Sequence, residues 1–174
     1  TLPGTHPDKG AFFTRGSSKD EFARYTEDGQ AYVRNMKRLE KKWDTIKSNV
    51  PTSDISLDPD FNKAILYFGT TIYSAEEALD ILKEHDLHYN WIRIKSFPFG
   101  PEVIDFINRH EEIFVIEQNR DAQMRSLLIN ELEVAPSKLK KVLNYDGMAI
   151  TAEQISMSIK EATIFMDHSQ PEIF

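Results

Sequence analysis

Two kinds of segment in this chain hold side chains able to do chemistry. The first is an arm near the N-terminus. Phe12-Phe13-Thr14-Arg15-Gly16-Ser17-Ser18-Lys19-Asp20-Glu21 crowds rings, cations, hydroxyls and carboxylates into a stretch without helix or strand periodicity. Such density in a loop points to function; the plainer reading is a chain end whose normal neighbours are missing. The second kind is the set of loops that follow predicted strands. In residues 69–74, Thr70, Thr71 and a helix start could hold an anion on backbone N–H groups. The same residues also read as a turn and a capping box, and the single glycine matches neither a dinucleotide fingerprint nor a phosphate loop. Residues 95–100 form another such loop. In residues 117–121, Glu117, Asn119, Arg120 and Asp121 sit within five positions. A carboxylate at the end of an apolar strand is costly to bury unpaired. Either Glu117 and Asp121 pair with Arg120, cap the next helix or face water, or this loop is an interface or cofactor-side contact. No Gly-x-Ser-x-Gly elbow, nucleophilic triad or marked carboxylate dyad occurs. On chemistry alone the body is a binding or assembly module.

These loops need a frame. Val33, Met36, Leu39, Trp43 and Ile46 recur at spacings of three and four, which predicts one amphipathic helix over roughly 29–48. Asp28 is placed to cap it, and Asn49-Val50-Pro51 to stop it. Residues 51–60, with two Pro, three Asp and two Ser, read as a connector. Then strands and helices alternate. Strands are predicted at 64–68, 89–94, 113–116 and, shorter, 139–143. Helices are predicted from Ser74, Gly100-Pro101, 122 and Thr151, with capping boxes at Ser74–Glu77 and Thr151–Gln154. Ser18–Glu21 could be a further capping box. The alternation implies an α/β fold: a mostly parallel sheet with helices on both faces. The domain organisation expected is an arm and helix over 1–50, a linker over 51–60 and an α/β domain over 61–174. Ligands and partners of such sheets gather at the carboxyl ends of the strands, where the three loops lie.

Composition narrows the chemistry. The chain has 174 residues, 40% hydrophobic and 28% charged, the balance of a globular protein. It has no Cys, so it supplies no disulfide and no thiolate for an iron–sulfur cluster. His85 and His88 could share a helix face and a metal, but fit a solvated helix end as well. The net charge of −7 divides into +3 over residues 1–50 and −10 over residues 51–174. An acidic body argues against nucleic acid as a partner. No apolar run reaches the ~18–20 residues of a membrane span, so a cytoplasmic protein is expected. Residue 1 is Thr, consistent with a chain cut from a longer one. Exposed stripes on the first and last helices, the latter with Ile155, Ile159 and Phe165, predict self-association into a homo-oligomer.

Several strings together carry a resemblance. They are residues 9–21, Tyr25-Thr26-Glu27-Asp28, Tyr32-Val33-Arg34-Asn35-Met36, Phe68-Gly69-Thr70-Thr71, Ser96-Phe97-Pro98-Phe99-Gly100-Pro101 and Glu117-Gln118-Asn119-Arg120-Asp121-Ala122-Gln123. The chain resembles the C-terminal part of 2-oxoacid:ferredoxin oxidoreductase alpha subunits, the 2-oxoglutarate branch above all, over nearly its whole length. That resemblance implies a transketolase C-terminal-like α/β domain preceded by an arm and helix. For the whole enzyme it implies thiamine diphosphate, Mg2+, iron–sulfur clusters, coenzyme A, a thiamine-binding beta subunit and ferredoxin. The reaction implied is oxidative decarboxylation of a 2-oxoacid to acyl-CoA. A thiamine-facing domain before residue 1 is expected, and the chain alone is expected to be inactive. By matching position, Thr14, Arg15, Gly16, Ser17 and Ser18 are candidates for the active-site or subunit interface, where a cation and hydroxyls suit a carboxylate or phosphate. Many relatives have Gly where this chain has Ala122; the sequence reading is that Ala suits a helix start there. The alternative is a stand-alone flavodoxin-like module holding a small anion at the 69–74 loop, or a purely structural interaction domain.

Overall fold

The computed structural model describes residues 4–8, 10, 16 and 18–167, with the side chains of the last helix described through Thr163. The chain divides into two compact units, Thr1–Asn49 and Val50–Phe174.

In the first unit, Lys19 and Tyr25 form an antiparallel bridge. The Asp20 carboxylate closes the turn between them by accepting from the Phe22 and Arg24 N–H groups, both at 2.9 Å. Ser18–Glu21 is therefore part of a tight hairpin and caps no helix. The physical reason is that Asp20 takes up the local N–H groups a helix would use. Helix α1 (Gly29–Lys47) follows as expected. Asp28 caps it by accepting from the Gln30 and Ala31 N–H groups. Of its residues only Ala31 is buried, while Val33, Met36, Leu39 and Trp43 are each more than two-fifths exposed.

The second unit is a five-stranded sheet in the order β1-β3-β2-β4-β5: β1 (Asp54–Ser56), β2 (Lys63–Phe68), β3 (Asn90–Ile94), β4 (Glu112–Glu117) and β5 (Leu139–Leu143). All pairs are parallel except β1 with β3. Three residues of the expected connector thus form an antiparallel edge strand. Three residues are too short for a periodicity to show; the strand exists because β3 offers it an edge. Helices α2 (Ile72–Lys83) and α5 (Ala152–Asp167) cover one face, and α3 (Pro101–Arg109) and α4 (Gln123–Leu132) the other. The central strands are apolar on both sides, as double coverage requires. Ile65, Tyr67, Phe114 and Ile116 pack toward α2 and α5; Leu66, Ile92, Ile113 and Val115 pack toward α3 and α4.

The connection after β2 runs through α2 to β3 on one side, and the connection after β3 returns through α3 to β4 on the other. The winding therefore reverses between β2 and β4, which opens a crevice at their carboxyl ends.

Two helix starts divide the expectations. Thr151–Gln154 is a reciprocal capping box: the Gln154 N–H donates to Thr151 Oγ1 at 3.2 Å, and the Thr151 N–H to Gln154 Oε1 at 2.9 Å. Ser74, by contrast, lies inside α2. Gly69, at φ +61°, turns the chain directly from β2 into a 3-10 turn over Gly69–Thr71 that runs on into the helix. The Ser74 hydroxyl instead donates to the Ile150 carbonyl at 2.8 Å, tying α2 to the segment before α5.

At the end of α4, Glu133 is exposed and left-handed, with φ +52°. A non-glycine residue there costs about 1–2 kcal/mol, part of which Gly loses again in the unfolded chain. Glu133→Gly is expected to raise stability by about 0.5–1 kcal/mol, read as a higher urea midpoint with unchanged slope.

Candidate functional site

Glu117 ends β4 fully buried, and its carboxylate is used completely. Oε2 accepts from the Met124 N–H and from Asn119 Nδ2, both at 2.8 Å, and Oε1 accepts from the Arg125 N–H at 2.9 Å. Glu117 is thus the cap of α4, reached from the strand rather than from the residue before the helix. It does not pair with Arg120. That guanidinium pairs with Asp121 at 2.8 Å, both groups largely exposed. Ala122, just before α4, is left-handed at φ +52° and buried. The expectation that alanine suits this helix start is therefore corrected, because glycine is the residue at ease in that conformation.

The crevice between β2 and β4 is a cavity of about 600 Å3. Phe68, Met124 and Leu127 give it apolar walls, and Thr70, Thr71, Gln118, Asn119 and Gln123 give it hydroxyls and carboxamides. Among the described residues no charged side chain lines it. Gln118 is held in place: its Nε2 donates to Thr71 Oγ1 at 3.1 Å, and its Oε1 accepts from the Ile150 N–H at 3.2 Å. Asn119 is held likewise, its Oδ1 accepting from the Asp121 and Gln123 N–H groups at 3.1 and 3.2 Å. The structure thus brings Thr70, Thr71 and Asn119 to one cavity, places Glu117 beneath them as a cap, and leaves Arg120 outside the lining. Gln118, in the loop after β4, and Gln123, Met124 and Leu127, on the first turns of α4, were missed as lining residues; only their place just after β4 signalled them.

In the arm, Thr14, Arg15 and Ser17 lie outside the described residues. Gly16, at φ +73°, lies so close to the Tyr25 ring that a Cβ would come 2.5 Å from Cε2. Only glycine fits that approach. Ser18 is half-buried, and its carbonyl accepts from the Thr26 N–H at 3.3 Å. The Tyr25 hydroxyl donates to Glu27, and Asn35 Nδ2 donates to the Lys19 carbonyl.

A second polar cluster lies at the other end of the sheet. Asn90 and His110 are both buried. Asn90 Oδ1 accepts from the Asp58 N–H at 2.6 Å, while Nδ2 donates to the Asp58 and Phe61 carbonyls, each at 3.0 Å, and meets His110 Nε2 at 2.8 Å. His110 Nδ1 lies 2.7 Å from the Phe106 carbonyl, which can only accept, so Nδ1 carries the proton and Nε2 accepts from Asn90. Burial, assisted by Lys138 and Arg109, holds the His110 pKa below its usual value. The signal available was a lone Asn at the start of β3. Near this end Glu112 sits between Lys63 at 3.5 Å and Lys140 at 3.7 Å, a charge set bridging three strands.

Tyr67 is buried and pushed up to about 12, chiefly by burial, so it serves as no base near neutral pH. Among the described residues no three His, Cys, Asp or Glu converge to hold a metal ion. His85 is exposed, and His88 stacks on Phe61 at 5.2 Å. No helix among the described residues is long and apolar enough to cross a membrane.

No family model matches the chain, and no curated protein matches it in sequence. Solved structures do. The 2-oxoglutarate:ferredoxin oxidoreductase of Magnetococcus marinus, solved with 2-oxoglutarate, coenzyme A and succinyl-CoA bound, is similar over 92% of this chain, at a TM-score of 0.76 and 18% identity. The chain spans 28% of that protein's length. The alpha chain of a probable 2-oxoacid ferredoxin oxidoreductase from Thermoplasma acidophilum is similar over 64% of this chain and 96% of its own, at a TM-score of 0.44 and 21% identity. The chain thus shares the fold of a segment of the Magnetococcus marinus protein.

Proposed function

We propose that this chain is the C-terminal part of the alpha subunit of a cytoplasmic 2-oxoacid:ferredoxin oxidoreductase, with 2-oxoglutarate as substrate, and that its own task is subunit assembly and shaping of the active site. The observation that carries the reading is a fold likeness over 92% of the chain, more than the unit from residue 50 onward can supply alone. The arm string Thr14-Arg15-Gly16-Ser17-Ser18 belongs to the same reading. The whole enzyme would convert a 2-oxoacid and coenzyme A to acyl-CoA and carbon dioxide, with the electrons passing to ferredoxin. Thiamine diphosphate with Mg2+, when bound, supplies the nucleophile for decarboxylation. This chain holds no thiolate, and no metal-binding group is found among its described residues. In this reading those groups, with the iron–sulfur clusters, lie mainly on other domains or on the beta subunit, as the resemblance implies. The residues here bind and position.

The test is co-purification of the alpha subunit carrying this chain with its beta partner, followed by a dye-reduction assay. Reduction of a low-potential dye that requires both 2-oxoglutarate and coenzyme A, absent with this chain alone, supports the proposal. No activity with any 2-oxoacid removes it. In the intact complex Arg15→Ala is expected to raise the KM for 2-oxoacid or coenzyme A by about tenfold or more, the loss of one charge-assisted hydrogen bond. Unchanged Michaelis constants and unchanged assembly would withdraw the role given to Arg15.

A further inference from the structure

The crevice between β2 and β4 has the size of a small-molecule site, which is typically about 300–1,000 Å3, and it lies where the sheet's winding reverses. Its lining limits what can enter. Among the described residues an anion would meet no Lys or Arg on its walls, and a cation no carboxylate but Glu117 below, which already accepts from three donors. Phe68, Met124 and Leu127 suit the faces of a flat ring. Carboxamides suit its edge, as Asn and Gln pair with the donor–acceptor edge of adenine. Two of these carboxamides are already fixed: Gln118 by Thr70, Thr71 and Ile150, and Asn119 by Glu117 and two backbone N–H groups. Those bonds leave one lone pair on Gln118 Oε1 and one hydrogen on Asn119 Nδ2, an acceptor and a donor held in place beside an apolar slot, with the Gln123 carboxamide next to them.

We propose that this crevice binds an uncharged heteroaromatic ring of nucleobase type, with apolar side chains against its faces and, at its edge, the remaining lone pair of Gln118 Oε1, the remaining hydrogen of Asn119 Nδ2 and the carboxamide of Gln123. This gives the domain a ligand of its own, apart from any assembly role.

The experiment is a titration of the 174-residue chain, 15N-labelled, with adenosine, and separately with inorganic phosphate. Expected are saturable shifts of the side-chain NH2 signals of Gln118, Asn119 and Gln123 with adenosine and none with phosphate. Leu127→Trp, which fills the slot, should weaken adenosine at least tenfold. Gln123→Ala, an exposed position that leaves the fold intact, should weaken it measurably as well. The proposal is overturned if adenosine shifts none of these signals, if phosphate shifts them equally, or if both variants keep full affinity.

Discussion

Glu117→Ala should cost the second unit about 3 kcal/mol, the largest loss expected from any single change near the crevice. The side chain is fully buried, and its two oxygens take the Met124 and Arg125 N–H groups and Asn119 Nδ2. Alanine leaves these donors without acceptors and removes the negative charge from the positive end of the α4 dipole. Ala122 before the helix has no side chain to cap with, and Asn119 Oδ1 is already taken by the Asp121 and Gln123 N–H groups. Glu117→Gln keeps the shape but offers one acceptor oxygen and turns an NH2 group toward donors. It should fall between, losing about 1–2 kcal/mol. Urea unfolding of the two variants at pH 7 checks this. Equal stability of all three proteins would show that α4 is capped in another way. Because Asn119 is oriented by Glu117, the amide signals at the crevice should also lose their fixed positions in the alanine variant.

The second large effect is expected at the opposite end of the sheet. Asn90→Ala should cost about 3 kcal/mol, since one carboxamide accepts from the Asp58 N–H and shares its two amide hydrogens among the Asp58 and Phe61 carbonyls and His110 Nε2. The same cluster makes stability depend on pH. With Nδ1 donating to the Phe106 carbonyl and Nε2 accepting from Asn90, the buried ring is neutral, and a second proton would face the Asn90 amide hydrogens. Lys138 and Arg109 oppose that proton too. The folded pKa therefore lies below the unfolded value of about 6.5, and the unfolded chain binds more protons as pH falls. The contribution is fully present above about pH 6.5 and is lost as pH drops through the folded pKa. Urea midpoints measured at pH 7.5 and 5.5 should show the wild type losing stability on acidification, and His110→Gln losing less. A His110→Gln variant with the wild-type slope would place the acid sensitivity elsewhere.

How much of this was legible beforehand follows from what each feature depends on. Helix α1, its Asp28 cap, the four parallel strands, Pro101 at the start of α3 and the Thr151–Gln154 box were all readable. Each is decided by neighbours within about one or two helical turns, or by an apolar run that double burial requires. The reversal of winding could be expected in kind, which is why loops 69–74 and 117–121 were singled out. Other features were not readable. Strand β1 needs the edge of β3. Ser74 reads as a cap only until Gly69 starts the helical winding three residues before α2 begins at Ile72, which leaves Ser74 inside the helix. Ser18–Glu21 reads as a cap only until Asp20 closes a hairpin.

The site divides along the same line. By itself the sequence determined which residues could meet a ligand, Thr70, Thr71 and Asn119 among them, because their types and their places after strands are local facts. Only the tertiary structure decided their duties. It turned Glu117 inward under α4 and Arg120 outward to Asp121, joined Asn90 to His110 across 20 positions, and enclosed the crevice with Met124 and Leu127 from a different helix. A buried charge or amide takes whichever donors and acceptors the packed elements bring within about 3 Å. Those partners are chosen by how the sheet is wound, and no local pattern records that choice.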